Sequence, residues 1–233
     1  MKKIFFKKLE VSGEGIARET AGKKGVARFL EIIEVERGKL ITASLLYLLF
    51  CLPVITIPAA TAAMVRIMVY MVDDEPRFLW KDFVRAFKEN FLKSTLIGWG
   101  RVLLFLVFVY SLFIYRTYVH IHPVLYIPAA IEMALILAVK MAGYFVYPMI
   151  VRTDLSVKGI IKNSFLLLFV NKNGWKGLGI LLMEVVIVRM GLVIVPYSLL
   201  ILPFFGIPLL SLAATMVSWP SVKKFVLREE DNV

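Results

Sequence analysis

The sequence has little of what catalytic and metal sites are usually built from. Among 233 residues, Cys51 is the only cysteine, and His120 and His122 are the only histidines. A single cysteine excludes an intrachain disulfide and any CxxC metal or redox motif. Two imidazoles leave a four-ligand zinc site incomplete, so we expect a metal-free loop at the histidines. Two loop histidines and one cysteine inside an apolar run also do not assemble a Ser-His-Asp or Cys-His set.

Phosphate-binding and cation-binding loops are also missing. The glycines form neither GxxxxGK[ST] nor GxGxxG, which disfavours an ATPase subunit or a dinucleotide enzyme. The run Asp73-Asp74-Glu75 could bind a divalent cation, but such a cation needs six or more oxygens in a fixed loop, and solvated acids at a helix end are the favoured interpretation. The sequence therefore predicts no enzyme, no cofactor and no metal.

Apolar residues are present in excess. Hydrophobic residues make up 60% of the chain, charged residues 19%, and the mean hydropathy is +0.80. Soluble domains are about half apolar and about a quarter charged, and a soluble core could not hide this much apolar surface. We predict an all-α, polytopic transmembrane bundle over 26–228. A flexible basic cytoplasmic tail would precede it at 1–25, and an acidic tail would follow at 229–233.

Six hydrophobic segments are predicted from runs near the roughly 20 residues that cross a bilayer. Pro53 and Pro58 divide the first run, because proline removes a backbone donor and disfavours helix at the preceding residue. Both halves are short and could form a hairpin that does not fully cross. Small residues at 59–63 indicate a close helix-packing face in the second half. The segments are 40–54, 58–72, 96–115, 124–150, 177–195 and 199–219.

Three shorter stretches predict helices at the membrane surface. Residues 26–37 form a short amphipathic pattern, and 160–170 is apolar but too short to cross, as an interfacial or re-entrant helix would be. In the third stretch, an aromatic face lies opposite a charged face. Such a helix lies in the membrane interface or packs on the cytoplasmic face of its own protein. Its apolar face consists of Trp80, Phe83, Val84, Phe87 and Phe91.

Basic residues predict the topology. With the amino terminus inside, 23 of the 28 Lys and Arg fall in inner regions, and Arg116 alone falls in an outer loop. This asymmetry predicts a protein of the cell (inner) membrane with both termini cytoplasmic. It also explains the net charge of +11 without nucleic acid. Tryptophans favour interfaces, and all four would fall near the inner boundary: Trp80, Trp99, Trp175 and Trp219.

Charged residues inside the apolar runs are the candidate functional residues. Each is expensive in hydrocarbon and needs a partner or a cavity. Two interpretations remain, a solute or proton path and paired charges that fix helix register, and pairing is favoured because acids and bases occur at comparable depth. Counting depth along neighbouring antiparallel helices predicts the pairs Glu132–Arg189 and Lys140–Glu184. The six charges are Arg66, Arg101, Glu132, Lys140, Glu184 and Arg189.

Three stretches resemble the YesL-like family of small bacterial polytopic membrane proteins. They are 52–63 (LPVITIPAATAA), 80–91 (WKDFVRAFKENF) and 148–163, with Arg152, Asp154 and Lys158 in the last. One departure is Pro58-Ala59, where the family usually has Gly-Pro, and this changes the expected turn geometry. The resemblance supplies no catalytic residues, because the family has no established activity.

Two functions follow as expectations. Members of the family often accompany carbohydrate uptake and polysaccharide degradation, so the resemblance implies an accessory role in sugar import or its regulation. The partners would be the lipid bilayer and carbohydrate transporter subunits, with self-association left open. The alternative is a small transporter or channel that uses the buried charges. A solvated cavity at these charges would favour transport, and a dry, paired network would favour the accessory role.

Overall fold

The protein is a bundle of α-helices, as predicted. The computed structural model describes residues 25–170, 176–193 and 202–227, and no strand occurs among them. The predicted tails lie mostly outside these residues. Short 3-10 turns precede α2 and α4, and π-helical turns flank α7. The helices are α1 (Val26–Cys51), α2 (Ile57–Val72), α3 (Leu79–Tyr118), α4 (Tyr126–Arg152), α5 (Val157–Val170), α6 (Gly177–Val193) and α7 (Ile207–Val222).

The prediction of six membrane spans is not confirmed. Within the described ranges, four helical segments are long and apolar enough to cross a membrane: Val54–Val72, Leu79–Tyr118, Pro123–Arg152 and Phe204–Leu227. The predicted segment 40–54 is the end of a longer helix that begins in charged sequence at Val26. The predicted 199–219 begins outside the described residues, and its helix continues past 219 to Leu227. The predicted 177–195 corresponds to α6, which has 17 described residues.

The helices α1 and α2 form a hairpin that reaches only part of the way along α3. The chain breaks at Leu52 and Pro53, where the prolines predicted a break. At the tip, the indole of Trp99 donates to the carbonyl oxygen of Ile55 at 3.1 Å. Trp99 lies 20 residues after Leu79, or about 30 Å along a 40-residue helix of about 60 Å. The hairpin therefore ends beside the middle of α3.

The small residues of α2 form the predicted packing face. Ala59, Ala60, Ala62 and Ala63 are all fully buried, because α2 packs against α1, α3, α4 and α7. The apolar side chains of α2 therefore pack mainly against other helices of the protein. Short side chains let the neighbouring backbones approach, and dispersion contacts then stabilise the bundle.

Gly98 of α3 is where α3 comes closest to the hairpin tip. A Cβ at this position would overlap the ring of Pro58, whereas a Cβ at Gly100 would meet open space. We expect Gly98→Ala to lower the free energy of unfolding by about 1–3 kcal/mol through overpacking. Gly100→Ala should instead be neutral or stabilise by up to about 1 kcal/mol, because alanine is the better helix former. Denaturant unfolding in mixed micelles measures both, and equal effects would contradict the close approach.

The aromatic stretch at 80–91 is not a separate interfacial helix. It is continuous with the segment 96–115 in α3, so both share one axis. Phe83 is fully buried, with its ring centroid 5.3 Å from that of Phe50 on α1, and Phe87 lies 4.8 Å from the same ring. Trp80 is 60% exposed, and Val84 and Phe91 are half-buried. The face thus packs on the protein itself, which was the alternative interpretation.

The tryptophans do not lie at a single depth along the bundle. Trp80 and Trp99 are 19 residues apart on one continuous helix, which separates them by about 28 Å. Trp219 lies at the opposite end of α2 from Trp99, and its indole donates to Asp73 at 3.0 Å. Trp175 lies outside the described residues. The prediction of one inner aromatic belt is therefore wrong.

The exposed surface of α3 changes from charged to apolar along the helix. In the first half the exposed side chains include Lys81, Arg85 and Lys88, whereas from Val102 to Ile114 the exposed side chains are mostly large and apolar. The exposed side chains in the first half of α4 are likewise apolar. A lipid environment suits the second half of α3 and the first half of α4.

Candidate functional site

The predicted pair Lys140–Glu184 is confirmed. Lys140 Nζ lies 2.8 Å from Glu184 Oε1, and the Tyr144 hydroxyl donates to Glu184 Oε2 at 3.0 Å. The pair joins α4 to α6, and roughly a third of each side chain is exposed. Both carboxylate oxygens of Glu184 therefore have a donor, and both donors come from α4.

A double-mutant cycle tests this pair. Glu184→Gln and Lys140→Gln should each destabilise, because each leaves one charge without its partner, and the double variant should lose less than the sum. We expect a coupling energy of about 1 kcal/mol, since the pair is partly exposed. Chemical unfolding in mixed micelles provides the four free energies. Strictly additive effects would show that the contact does not stabilise the fold.

The predicted pair Glu132–Arg189 is wrong. Arg189 is exposed and lines a largely apolar cavity beside Lys140, together with Phe105 and Met133. Glu132 is buried at 8% exposure, and its Oε2 has no hydrogen-bond partner. Equal depth on two helices was not sufficient, because a pair also requires both side chains to lie on facing sides.

Arg66 satisfies its charge without an acid. Its Nε donates to the Tyr70 hydroxyl at 2.9 Å, and its guanidinium also donates to the carbonyl oxygen of Val151 on α4. The cation lies 5.2 Å from the centre of the Tyr70 ring. Cation–π contact and a carbonyl acceptor together stabilise this arginine between α2 and α4.

Arg101 lies against α4 at a glycine. A Cβ at Gly143 would overlap the Arg101 guanidinium, so the absence of a side chain there makes room for it. Arg101 Nε is buried and has no hydrogen-bond partner. Arg101 stands 22 residues after the first residue of α3 and 17 before the last, so it lies near the middle of the helix. Its guanidinium therefore lies against α4 at this depth and does not extend along α3 toward either end.

A cavity of about 340 Å³ is lined by Arg101, Lys140 and Glu184, among other residues. Residues of six helices, α1, α2, α3, α4, α6 and α7, line it. Two cations and one acid line it, with three tyrosines and several hydroxyls among apolar side chains. Two further cavities, of about 270 and 330 Å³, also reach Arg101. The polar residues of the cavity of about 340 Å³ are Tyr47, Thr61, Arg101, Lys140, Tyr144, Tyr147, Glu184, Ser211 and Thr215.

The tyrosines and hydroxyls of this cavity were missed by the sequence reasoning. Tyr47 comes from α1, where its hydroxyl lies 3.5 Å from Thr61 of α2, and Tyr144 and Tyr147 come from α4. The one available signal was the spacing of Lys140, Tyr144 and Tyr147, at i, i+4 and i+7 on one helical face. Only the packing of distant helices reveals the remaining members.

The acids at 73–75 form ion pairs rather than a solvated end. Asp73 lies 3.2 Å from Lys223, Asp74 contacts Arg28, and Glu75 lies 2.7 Å from Arg152. These contacts tie the turn after α2 to α1, α4 and the end of α7. Neither the cation site nor the solvated acids considered from the sequence describes this junction. The contacts of Arg28 and Lys223 also place the start of α1 and the end of α7 at the same end of the bundle.

Arg77 extends the junction into the interior. Its guanidinium lies 2.8 Å from Glu36 Oε1 of α1, and it donates to the carbonyl oxygens of Tyr70 and Glu75. The side chains of Arg77 and Glu36 are only 7% and 10% exposed. Lys39 lies 2.8 Å from the other oxygen of Glu36. This buried pair therefore fixes α1 to the turn before α3.

A fall in pH should weaken the contact between Glu36 and Arg77. Burial alone would raise the pKa of Glu36, but the hydrogen bonds and charges of Lys39 and Arg77 outweigh it and lower this pKa below its ordinary value. Because the folded-state pKa is depressed, the stabilisation is complete above the unfolded-state pKa of about 4.3 and is lost as pH falls through the folded value. We expect thermal unfolding between pH 7 and pH 3 to show a steeper acid loss for wild type than for Glu36→Gln.

No group of three or more His, Cys, Asp or Glu that could hold a metal occurs in the described part of the chain. His120 and His122 are both exposed at the turn between α3 and α4. The candidate site is therefore the charged cavity, which can bind a polar ligand through side chains.

Comparison with known proteins finds a family match in one part of the chain. Residues 40–112 match the model of a family described as "Protein of unknown function, DUF624". Neither a curated protein nor a solved structure matches the chain. The matched residues include Tyr47, Thr61 and Arg101 of the cavity, whereas Lys140 and Glu184 lie beyond it. Over residues 40–112 the chain is thus similar to the DUF624 family, to which the YesL-like proteins that its sequence resembles also belong.

Proposed function

We propose that the protein is a non-enzymatic, multi-pass membrane protein that binds a small polar solute between its helices, as a small transporter or channel would. The observation that carries this proposal is the cavity of about 340 Å³ at Arg101, Lys140 and Glu184. Ligand sites have volumes of about 300–1,000 Å³ and combine apolar walls with a few polar groups. Charges inside a membrane protein are a functional signal when they line a cavity.

The proposed location is the cell (inner) membrane, with the end formed by residues 73–77 facing the cytoplasm. The supporting observation is the surface of α3, where exposed lysines and arginines occur in the first half and apolar residues in the second. Basic residues favour the cytoplasmic side. The asymmetry of the Lys and Arg in the sequence supports the same orientation.

Filling the cavity tests the solute proposal. Ala214 lines the cavity from α7, so Ala214→Leu would occupy part of its volume. Ala213→Leu adds the same volume at the neighbouring residue, which does not line the cavity. Purified variants in liposomes would be offered a panel of labelled sugars, sugar acids and sugar phosphates. Uptake or binding that is lost in Ala214→Leu and kept in Ala213→Leu supports the proposal. An absence of uptake and binding for wild type, or equal activity in both variants, contradicts it.

The second candidate is an accessory partner of a carbohydrate uptake system. One observation favours it: the Lys140–Glu184 pair is satisfied without any ligand. The kind of partner follows from the resemblance to the YesL-like family, whose members often accompany carbohydrate uptake. The partners would be subunits of a carbohydrate transporter or a second copy of the chain. Copurification in mild detergent with protein identification tests this role. A sugar-transporter subunit in the eluate supports it, and recovery of the chain alone contradicts it.

A further inference from the structure

We infer that the cavity binds the anionic group of its ligand, a carboxylate or a phosphate, at Arg101. This inference rests on the proposed function, because it names the chemical class that the same cavity takes.

The charged side chains of the described cavity lining do not balance. This lining contains Arg101 and Lys140 against one acid, Glu184. Glu184 is fully used, since Lys140 and Tyr144 each hold one of its oxygens. Among the described residues, Arg101 has neither an ion pair nor a hydrogen bond, and its Nε is buried. The internal stretches 171–175 and 190–203 contain no Asp or Glu that could supply the missing charge.

The position of Arg101 is fixed by packing rather than by a protein acceptor. Its guanidinium rests on Gly143, on the face of α4 that also carries Lys140, Tyr144 and Tyr147. Other long side chains that lie near a bilayer extend toward water. Arg101 instead turns toward α4 from near the middle of α3. A cation held at this position without a counter-ion is an electrostatic cost unless an anion binds to it.

The guanidinium defines the chemistry of the ligand. Its planar fork of donors matches the paired oxygens of a carboxylate or phosphate, and Lys140 adds a point charge beside it. The walls of the cavity include Met64, Val65 and Leu210, which suit an apolar or sugar-sized remainder. The anion could belong to a soluble solute or to a lipid headgroup, and both present the same oxyanion to Arg101.

Thermal unfolding of the whole protein measures anion binding. In phosphatidylcholine nanodiscs, inorganic phosphate would be titrated at constant ionic strength against chloride. In a second arm, phosphatidylglycerol would replace part of the phosphatidylcholine without added phosphate. We expect at least one of these probes to raise the unfolding temperature of wild type. A shift with phosphate indicates a soluble ligand, and a shift with phosphatidylglycerol alone indicates a lipid headgroup.

Variants test whether the rise in unfolding temperature depends on Arg101. Arg101→Gln should weaken the apparent affinity by about tenfold or more, as expected for loss of a charge-assisted contact. Arg85→Gln removes the same charge from the exposed face of α3 and should leave the affinity within about twofold, since screened surface charges interact weakly. Gly143→Ala should also weaken binding by displacing the guanidinium, whereas Gly179→Ala, which meets open space, should not. If Arg101→Gln does not fold, Gly143→Ala carries the test.

The inference is overturned if neither probe shifts wild type, or if Arg101→Gln and Gly143→Ala respond as wild type does. A further result separates it from the proposed function. Suppose that an uncharged sugar binds wild type, that Ala214→Leu abolishes this binding and that Arg101→Gln leaves it unchanged. This result would support the proposed solute cavity and contradict an anionic ligand. Loss of all binding, charged and uncharged, would reject both.

Discussion

Replacing Arg77 by Met is expected to lower the free energy of unfolding by about 3–5 kcal/mol, the range measured for breaking a buried ion pair. Arg77 and Glu36 are both nearly buried, so the variant leaves the carboxylate with Lys39 alone. It also removes the donor to the carbonyl oxygens of Tyr70 and Glu75. Denaturant unfolding in mixed micelles, followed by far-UV circular dichroism, gives the change.

Two controls make this result specific. Arg85→Met removes an exposed arginine from α3 and should change stability by no more than about 0.5 kcal/mol. The double variant Glu36→Leu/Arg77→Met should recover part of the loss, because no buried charge then lacks its partner. A single variant as stable as wild type would mean that water or lipid headgroups reach this junction.

Phe83→Ala is expected to destabilise by about 3–5 kcal/mol, since it removes a large ring and leaves a cavity. Phe83 is fully buried among α1, α2 and α3, with Phe50 in contact. Trp80→Ala is the matched control. It removes a larger ring from the same helix, but this ring is 60% exposed, so we expect a loss of no more than about 1 kcal/mol.

The comparison of Phe83 and Trp80 distinguishes two environments for this stretch. If it lay in the membrane interface, both rings would contact lipid and the losses would be similar. If it packs on α1, as observed, the loss at Phe83 is several times larger. Measuring both variants in two detergents of different headgroup separates these cases, because a lipid-facing ring would respond to the headgroup and a core ring would not.

The sequence predicted those features that depend on local chemistry. Proline at 53 and 58 ends α1 and starts α2, because its ring removes a donor and restricts the preceding residue. Small residues at 59–63 pack closely wherever a second helix is available. The excess of apolar residues predicted a helical membrane bundle, since backbone polar groups in lipid must be satisfied within the helix itself. These properties belong to short stretches of chain and do not require knowledge of neighbours.

Segment boundaries at charged residues were less predictable. The predicted segments 40–54 and 96–115 began just after charged sequence, yet α1 and α3 begin earlier, at Val26 and Leu79, and run through that sequence. A lysine or arginine on the outer face of a helix does not interrupt its hydrogen bonds, so a change in polarity marks a change in environment rather than an end. For this reason the amphipathic stretch at 80–91 and the span after it are one helix.

The sequence by itself determined which residues carry unusual charge, and depth along the chain was enough to pair Lys140 with Glu184. Only the tertiary structure decided that Glu132 and Arg189 do not meet, that Arg66 is held by a tyrosine and a carbonyl, and that Asp73–Glu75 pair with distant bases. The physical reason is rotation about the helix axis. Depth follows from a fixed rise per residue, whereas the facing side depends on how whole helices pack. The cavity at Arg101 arises in the same way, because its described lining forms only where six helices pack together.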